Sequence, residues 1–212
     1  MVDFVQVLLR KCDEALADVE TIYARDVASH DLSGDLLYNI RSVVQDCQSA
    51  LDATAGRVKD SYLKKSKWKP YFPLGTNPAD FATKIEEQLK GLTAAEPGIA
   101  AAFERHQPYQ PGKAVLGYLH SLARVNKHND FSEQVREEVP PPSDPNDPRY
   151  IRHTRWGARL MGAWAMGTPG ALITVFVGWN FVDPAVPVVP TLKDLVQQTR
   201  AAVEDIHTVA AL

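Results

Sequence analysis

Apolar residues recur at Val5, Leu8, Leu9, Cys12, Leu16, Val19, Ile22 and Tyr23. Steps of three and four place them on one stripe of an amphipathic helix, predicted from Val2 to about Val27. The polar run Asp31-Leu32-Ser33-Gly34-Asp35 interrupts it, and Ser33 or Asp35 can cap the next helix. This second helix is predicted from Asp35 to Tyr62, with Leu36, Leu37, Ile40, Val43, Val44, Cys47, Leu51 and Val58 inward. Small residues at Ala50, Ala53 and Ala55 allow a neighbouring helix to approach closely. Two long helices joined by a short polar turn make an antiparallel hairpin.

Pro70, Pro73 and Pro78 make the next stretch extended. Asn77 and Pro78 then read as the cap and first residue of a third helix carrying Phe81, Ile85, Leu89 and Leu92. Pro97 opens a short fourth helix through Phe103, and Gln107 to Gly112 reads as a turn. A fifth helix is predicted from Lys113 to about His128, burying Val115, Leu116, Leu119, Leu122 and Val125. The proline- and aspartate-rich run Pro140 to Pro148 excludes regular structure. Beyond it, 150–156, 160–166 and 171–182 read as strands of a small antiparallel sheet, with a hairpin turn at Gly167 to Gly170. Pro190-Thr191 starts a final helix carrying Leu192, Leu195, Val196, Val203, Ile206 and Val209.

The order of elements predicts one α+β domain over residues 1–212. It is mainly an up-down helical bundle, 1–132 and 190–212, with a small antiparallel β-sheet inserted at about 134–189 before the C-terminal helix. The first, second, fifth and last helices are expected to form the bundle.

A net charge of −3 supplies no general basic field to hold a polyanion. RNA is therefore not a favoured partner, although Lys64, Lys65, Lys67 and Lys69 interleave with Trp68 and Tyr71 in a pattern also used to grip single strands. The longest apolar run, Ala171 to Val177, is too short to span a bilayer, and the N-terminal residues lack a cleavage signal. A cytoplasmic location without membrane contact is the expectation. Cys12 and Cys47 both lie on apolar stripes, as core thiols or as an interhelical disulfide. No cysteine pair or short histidine spacing suggests a metal, and no phosphate loop or serine elbow is present. Neither a metal nor another cofactor is expected.

The chemistry-bearing cluster is Asn126-Lys127-His128-Asn129-Asp130. His128 can act as a general acid or base near neutral pH, Lys127 as an anion-binding donor and Asp130 as an orienting acceptor. The same residues also suit the end of a helix, where cations complement the carbonyl dipole and Asn129 can take the left-handed cap. Asp52, in the second helix, needs a cationic partner if it is buried, and Lys127 or His128 is the candidate. Tyr109 is a third candidate, for a ligand site shared with Lys127 and His128.

The run Ile40 to Asp52, IRSVVQDCQSALD, together with Phe72-Pro73, Gln107-Pro108-Tyr109 and Asn126-Lys127-His128, resembles an uncharacterised, largely actinobacterial family. That family carries a leucine-arginine-serine-alanine-leucine-aspartate-histidine helix and an aspartate-lysine-histidine-arginine motif. The likeness runs from about Leu36 onward. Gln48 stands here for its arginine, Ala53 for its histidine, Asn126 for its aspartate and Asn129 for its arginine. If those polar residues form a working site in the family, this chain has lost several of them.

The family is more distantly similar to HEPN-type bundles, some of which are ribonucleases of toxin and phage-defence systems. These use an arginine and a histidine with four to six residues between them. Arg25 with His30 and Arg200 with His207 have that spacing, while Arg124 with His128 is one residue too close. Function has three readings, in order of preference. The first is a non-enzymatic helical interaction module that self-associates through a helix face. The second is a HEPN-like ribonuclease or its degenerate relative, and the third is a small-molecule or nucleotide binder.

Overall fold

The computed structural model describes residues 3–29, 31–63, 69–119, 121–122, 131–138, 173–182 and 185–212, with backbone alone at 131–138 and 173–177. Helix α1 spans Phe4–Ser29 and α2 spans Gly34–Tyr62, packed together as an antiparallel hairpin. The turn between them is closed by Asp26, which is buried and accepts from the Ser33 N–H at 2.9 Å. Ser33 in turn caps α2, its hydroxyl accepting from the Leu36 N–H at 3.2 Å. Of the two cap candidates, Ser33 takes the role, and Asp35 lies within the first turn, where its charge complements the helix dipole.

Residues 78–105 form three shorter helices: α3 (Pro78–Gln88), α4 (Leu92–Ala95) and α5 (Pro97–Arg105). Asn77 caps α3 by accepting from the Asp80 N–H at 3.0 Å. Gly91, at φ +86°, separates α3 from Leu92, so the apolar set of the expected third helix is shared between two elements. The last helix, α6 (Val188–Ala210), starts two residues before Pro190. It packs against α1, α2 and α5 and supplies Leu192, Leu195, Ala202, Val203 and Ile206 to the core. The centre of the fold is therefore the α1–α2 hairpin closed by α6. Among the described residues no helix is long and apolar enough to cross a membrane.

The predicted fifth helix does not begin as an α-helix. Ala114–Tyr118 is a 3-10 turn set against α6, and helical backbone resumes only at Leu119 and at 121–122. Val115, Leu116, Leu119 and Leu122 are buried as expected. Within this turn Gly117 packs closely: a Cβ there would stand 3.1 Å from the Pro108 Cβ, so the segment lies hard against the preceding turn. The rest of the predicted helix, including Val125 and His128, lies outside the described residues, as do the strands expected at 150–156 and 160–166.

Among the described residues, strand β1 (Phe131–Glu138) pairs antiparallel with β2 (Ile173–Phe181). The expected strands began only at residue 150, so the whole of β1 lies outside them, while β2 falls within the expected 171–182. The register shifts at Gln134/Val135, opposite Gly178. Gly178 has φ +153°, and its bulge brings β2 against α1. There the Trp179 N–H donates to the Tyr23 hydroxyl oxygen at 2.9 Å, and the two rings meet edge to face with centroids 5.7 Å apart.

Candidate functional site

The motif-bearing segments converge on an extended strap, residues 69–76, between α2 and α3. Its two prolines, Pro70 and Pro73, remove two of the donors that a ladder would use. Four of its six remaining N–H groups are taken by side chains. Tyr71 N–H donates to Gln88 Oε1 at 2.9 Å and Phe72 N–H to Asp52 Oδ1 at 2.8 Å. Gly75 N–H donates to Gln107 Oε1 at 2.8 Å, and Thr76 N–H to Asp80 Oδ2 at 2.7 Å. Four amides are thus held by α2, α3 and the turn after α5.

Apolar contacts seat the same strap. Phe72 is buried with its ring centroid 5.2 Å from that of Phe103 on α5. At Gly75 any side chain would collide with α3, since a Cβ would stand 2.6 Å from the Phe81 Cα. Gln107 is fully buried and divides its amide: Oε1 accepts from Gly75, while Nε2 donates to the Phe103 carbonyl at 2.9 Å. Asp52, Phe72-Pro73 and Gln107, three of the markers that carried the family resemblance, meet at this strap.

A second polar group sits beside it, where the turn after α5 crosses α6. Arg105 grips Asp205 through two nitrogens at 3.1 and 3.0 Å, and His106 Nε2 lies 2.9 Å from Asp205 Oδ2. The Arg105 hydrogen bond, joined by that of His106, holds the Asp205 carboxyl below its usual range despite partial burial. Burial lowers the His106 imidazole more than Asp205 raises it, and the nearby Lys113 charge adds to the lowering. With Nε2–H directed at Asp205, Nδ1 of neutral His106 is a buried acceptor that no group among the described residues fills. A general base must reach a substrate proton, and this nitrogen is enclosed. Farther along α6, Gln198 Nε2 donates to the Gly112 carbonyl at 2.7 Å and fastens the end of the turn.

Of the candidate residues, Asp52 is half-buried and holds the strap. The Tyr109 hydroxyl donates to Glu104 Oε1 at 3.2 Å, and burial together with that carboxylate pushes its pKa up to about 12. Arg25 bonds Asp26 Oδ1 through two nitrogens and the Ser33 hydroxyl through one, so its guanidinium is engaged at the α1–α2 turn. His30, Arg124, Asn126, Lys127, His128 and Asp130 lie outside the described residues. Gln107 and the His106–Asp205 pair were not among the expected site residues. Gln107 reads locally as a turn residue, and His106 and Asp205 are 99 positions apart. Among the described residues, no group of three or more His, Cys, Asp or Glu side chains is placed to hold a metal ion. Compared with known proteins, the chain matches no family model, no curated protein and no solved structure.

Proposed function

We propose that this protein is a non-enzymatic helical interaction module that associates with itself through a helix face. The observation that carries the reading is the use of Asp52 and Gln107, the polar markers of two separate segments, as acceptors for the backbone of the 69–76 strap. Residues of this kind hold an architecture together. Of the two arginines with a nuclease-type spacing, Arg25 is engaged by Asp26 and Ser33, and Arg200 by Asp13. The associating face is the outward side of α2, where Tyr38 (70% exposed), Arg41 and Gln45 succeed one another at helical spacing. Tyrosine and arginine are the residue types enriched at protein interfaces. In the same reading, the residues between the proline-rich loop and α6 complete a small antiparallel sheet around the β1–β2 pair.

Light scattering after gel filtration, across a concentration series, tests the proposal. Self-association is expected to rise with concentration, and Tyr38→Ala is expected to shift the protein to monomer without lowering its melting temperature. A strictly monomeric protein at all concentrations overturns the self-association. Cleavage of single-stranded RNA that is lost in His128→Ala or His30→Ala overturns the non-enzymatic reading in favour of the ribonuclease.

A further inference from the structure

Cys12 on α1 and Cys47 on α2 face each other across the hairpin with their sulfurs 3.7 Å apart. Both are fully buried and neither is bonded to another cysteine. They are the chain's two cysteines. Thr199 of α6 closes the third side; its hydroxyl is buried without a hydrogen bond of ordinary length, yet lies near enough to Cys47 to favour the thiolate slightly. A disulfide needs its sulfurs at about 2.05 Å, so closure requires an approach of roughly 1.6 Å, within reach of small side-chain rotations and a slight shift of the helices.

We propose that Cys12 and Cys47 form a latent disulfide site, a dithiol that a two-electron oxidant of the diazene class converts to a cross-link between α1 and α2 when the hairpin opens locally. Two S–H bonds break and one S–S bond forms. The two protons and two electrons pass to the N=N bond of the oxidant, which becomes a hydrazine. Local opening is required because the closed pair resists reaction. The hydrogen bond shared with Cys12, in which Cys47 keeps its proton, is reinforced by burial and raises the Cys47 thiol well above its ordinary value, and the thiolate is the reacting form. Local separation of α1 from α2 admits water and oxidant together, and reclosure of the hairpin returns the two sulfurs to each other, which favours the partner thiol over any second molecule.

The test uses the full chain treated with diamide under native conditions, then denatured and alkylated with iodoacetamide. The expected product is a monomer lacking both alkylatable thiols, lighter by the two hydrogens removed and restored by dithiothreitol. Its far-UV helical signal matches the untreated protein, and its rate of formation rises in sub-denaturing urea. Cys12→Ala and Cys47→Ala should each leave one thiol open to alkylation. Full alkylation of both thiols, under diamide treatment that oxidises a free dithiol, overturns the proposal. So does a disulfide found only between molecules, or an intramolecular one found only in protein that has lost its helical signal.

Discussion

Asp52 Oδ1 receives the Phe72 N–H at 2.8 Å, joining the middle of α2 to a backbone group twenty residues downstream. Phe72 is buried, so removing the carboxylate leaves an amide with neither its partner nor free access to water. Asp52→Ala is expected to lower stability by about 2 kcal/mol. Asp52→Asn keeps an acceptor oxygen in place and should lose less. Urea unfolding of the three proteins checks the order, and equal losses for Ala and Asn would show that the hydrogen bond to Phe72 is not what matters.

Gln107 is the second clasp on the same strap, and it serves two backbone groups at once. Gln107→Ala strands the Gly75 N–H and removes one of two hydrogen bonds to the Phe103 carbonyl, which keeps that from the His106 N–H, and is expected to cost about 2 kcal/mol. Gln107→Glu keeps the acceptor for Gly75 but loses the donor to Phe103 and buries a charge, so it should not rescue. Thermal unfolding monitored by circular dichroism distinguishes the two. A Glu variant as stable as the wild type would contradict the two-sided role.

At Gly178, a Cβ would overlap the Tyr23 hydroxyl, and the backbone sits at φ +153°. Gly178→Ala is expected to destabilise the protein by about 2 kcal/mol through overpacking and strain. Tyr23→Phe removes the acceptor of the Trp179 N–H but also clears the collision. The double variant should therefore be less impaired than the sum of the two single ones. Additive losses in a double-mutant cycle would refute a direct contact.

Acid should weaken the fold in two windows. Burial lowers the imidazoles of both His106 and His207, opposed at His106 by Asp205. The unfolded chain then binds these protons more readily than the folded one. Their contribution is complete above the unfolded histidine value of about 6.5 and is lost as pH falls toward the folded values. A second window opens below about pH 4. Burial would raise Asp26, but hydrogen bonds from Ser33 and Arg25 outweigh it and hold the carboxyl low. Asp205 is held low first by Arg105. Both contribute above the unfolded aspartate value and lose that contribution as pH falls through the folded one. Urea midpoints measured from pH 8 to pH 3 should fall in two steps, and His106→Gln should flatten the upper one. Stability that rose on acidification from pH 7 to pH 5 would reverse the sign argued here.

The helices were legible because their information is local. The stripe from Val5 to Tyr23 repeats every three or four residues, and Ser33 and Asn77 cap with their own side chains the helices they precede. At Ala114–Tyr118 the same kind of stripe misled. The apolar spacing there suits an α-helix, while packing of Gly117 on Pro108 accompanies a tighter winding. Strand β1 was also hidden, since FSEQVREE is polar enough to pass for a loop until β2 supplies its hydrogen bonds.

By itself the sequence determined about where the long helices run, which of their faces turn inward, and that Asn77 caps α3, while it left Ser33 and Asp35 as alternatives for α2. Periodicity and capping act within a few residues of their cause. Only the tertiary structure decided that Asp52 and Gln107 close on the strap, that His106 meets Asp205, and that Cys12 lies 3.7 Å from Cys47. Each of those pairs joins positions far apart in the chain, and no local preference brings them together. Burial of the α1 and α2 stripes against each other sets the distance between the two cysteines.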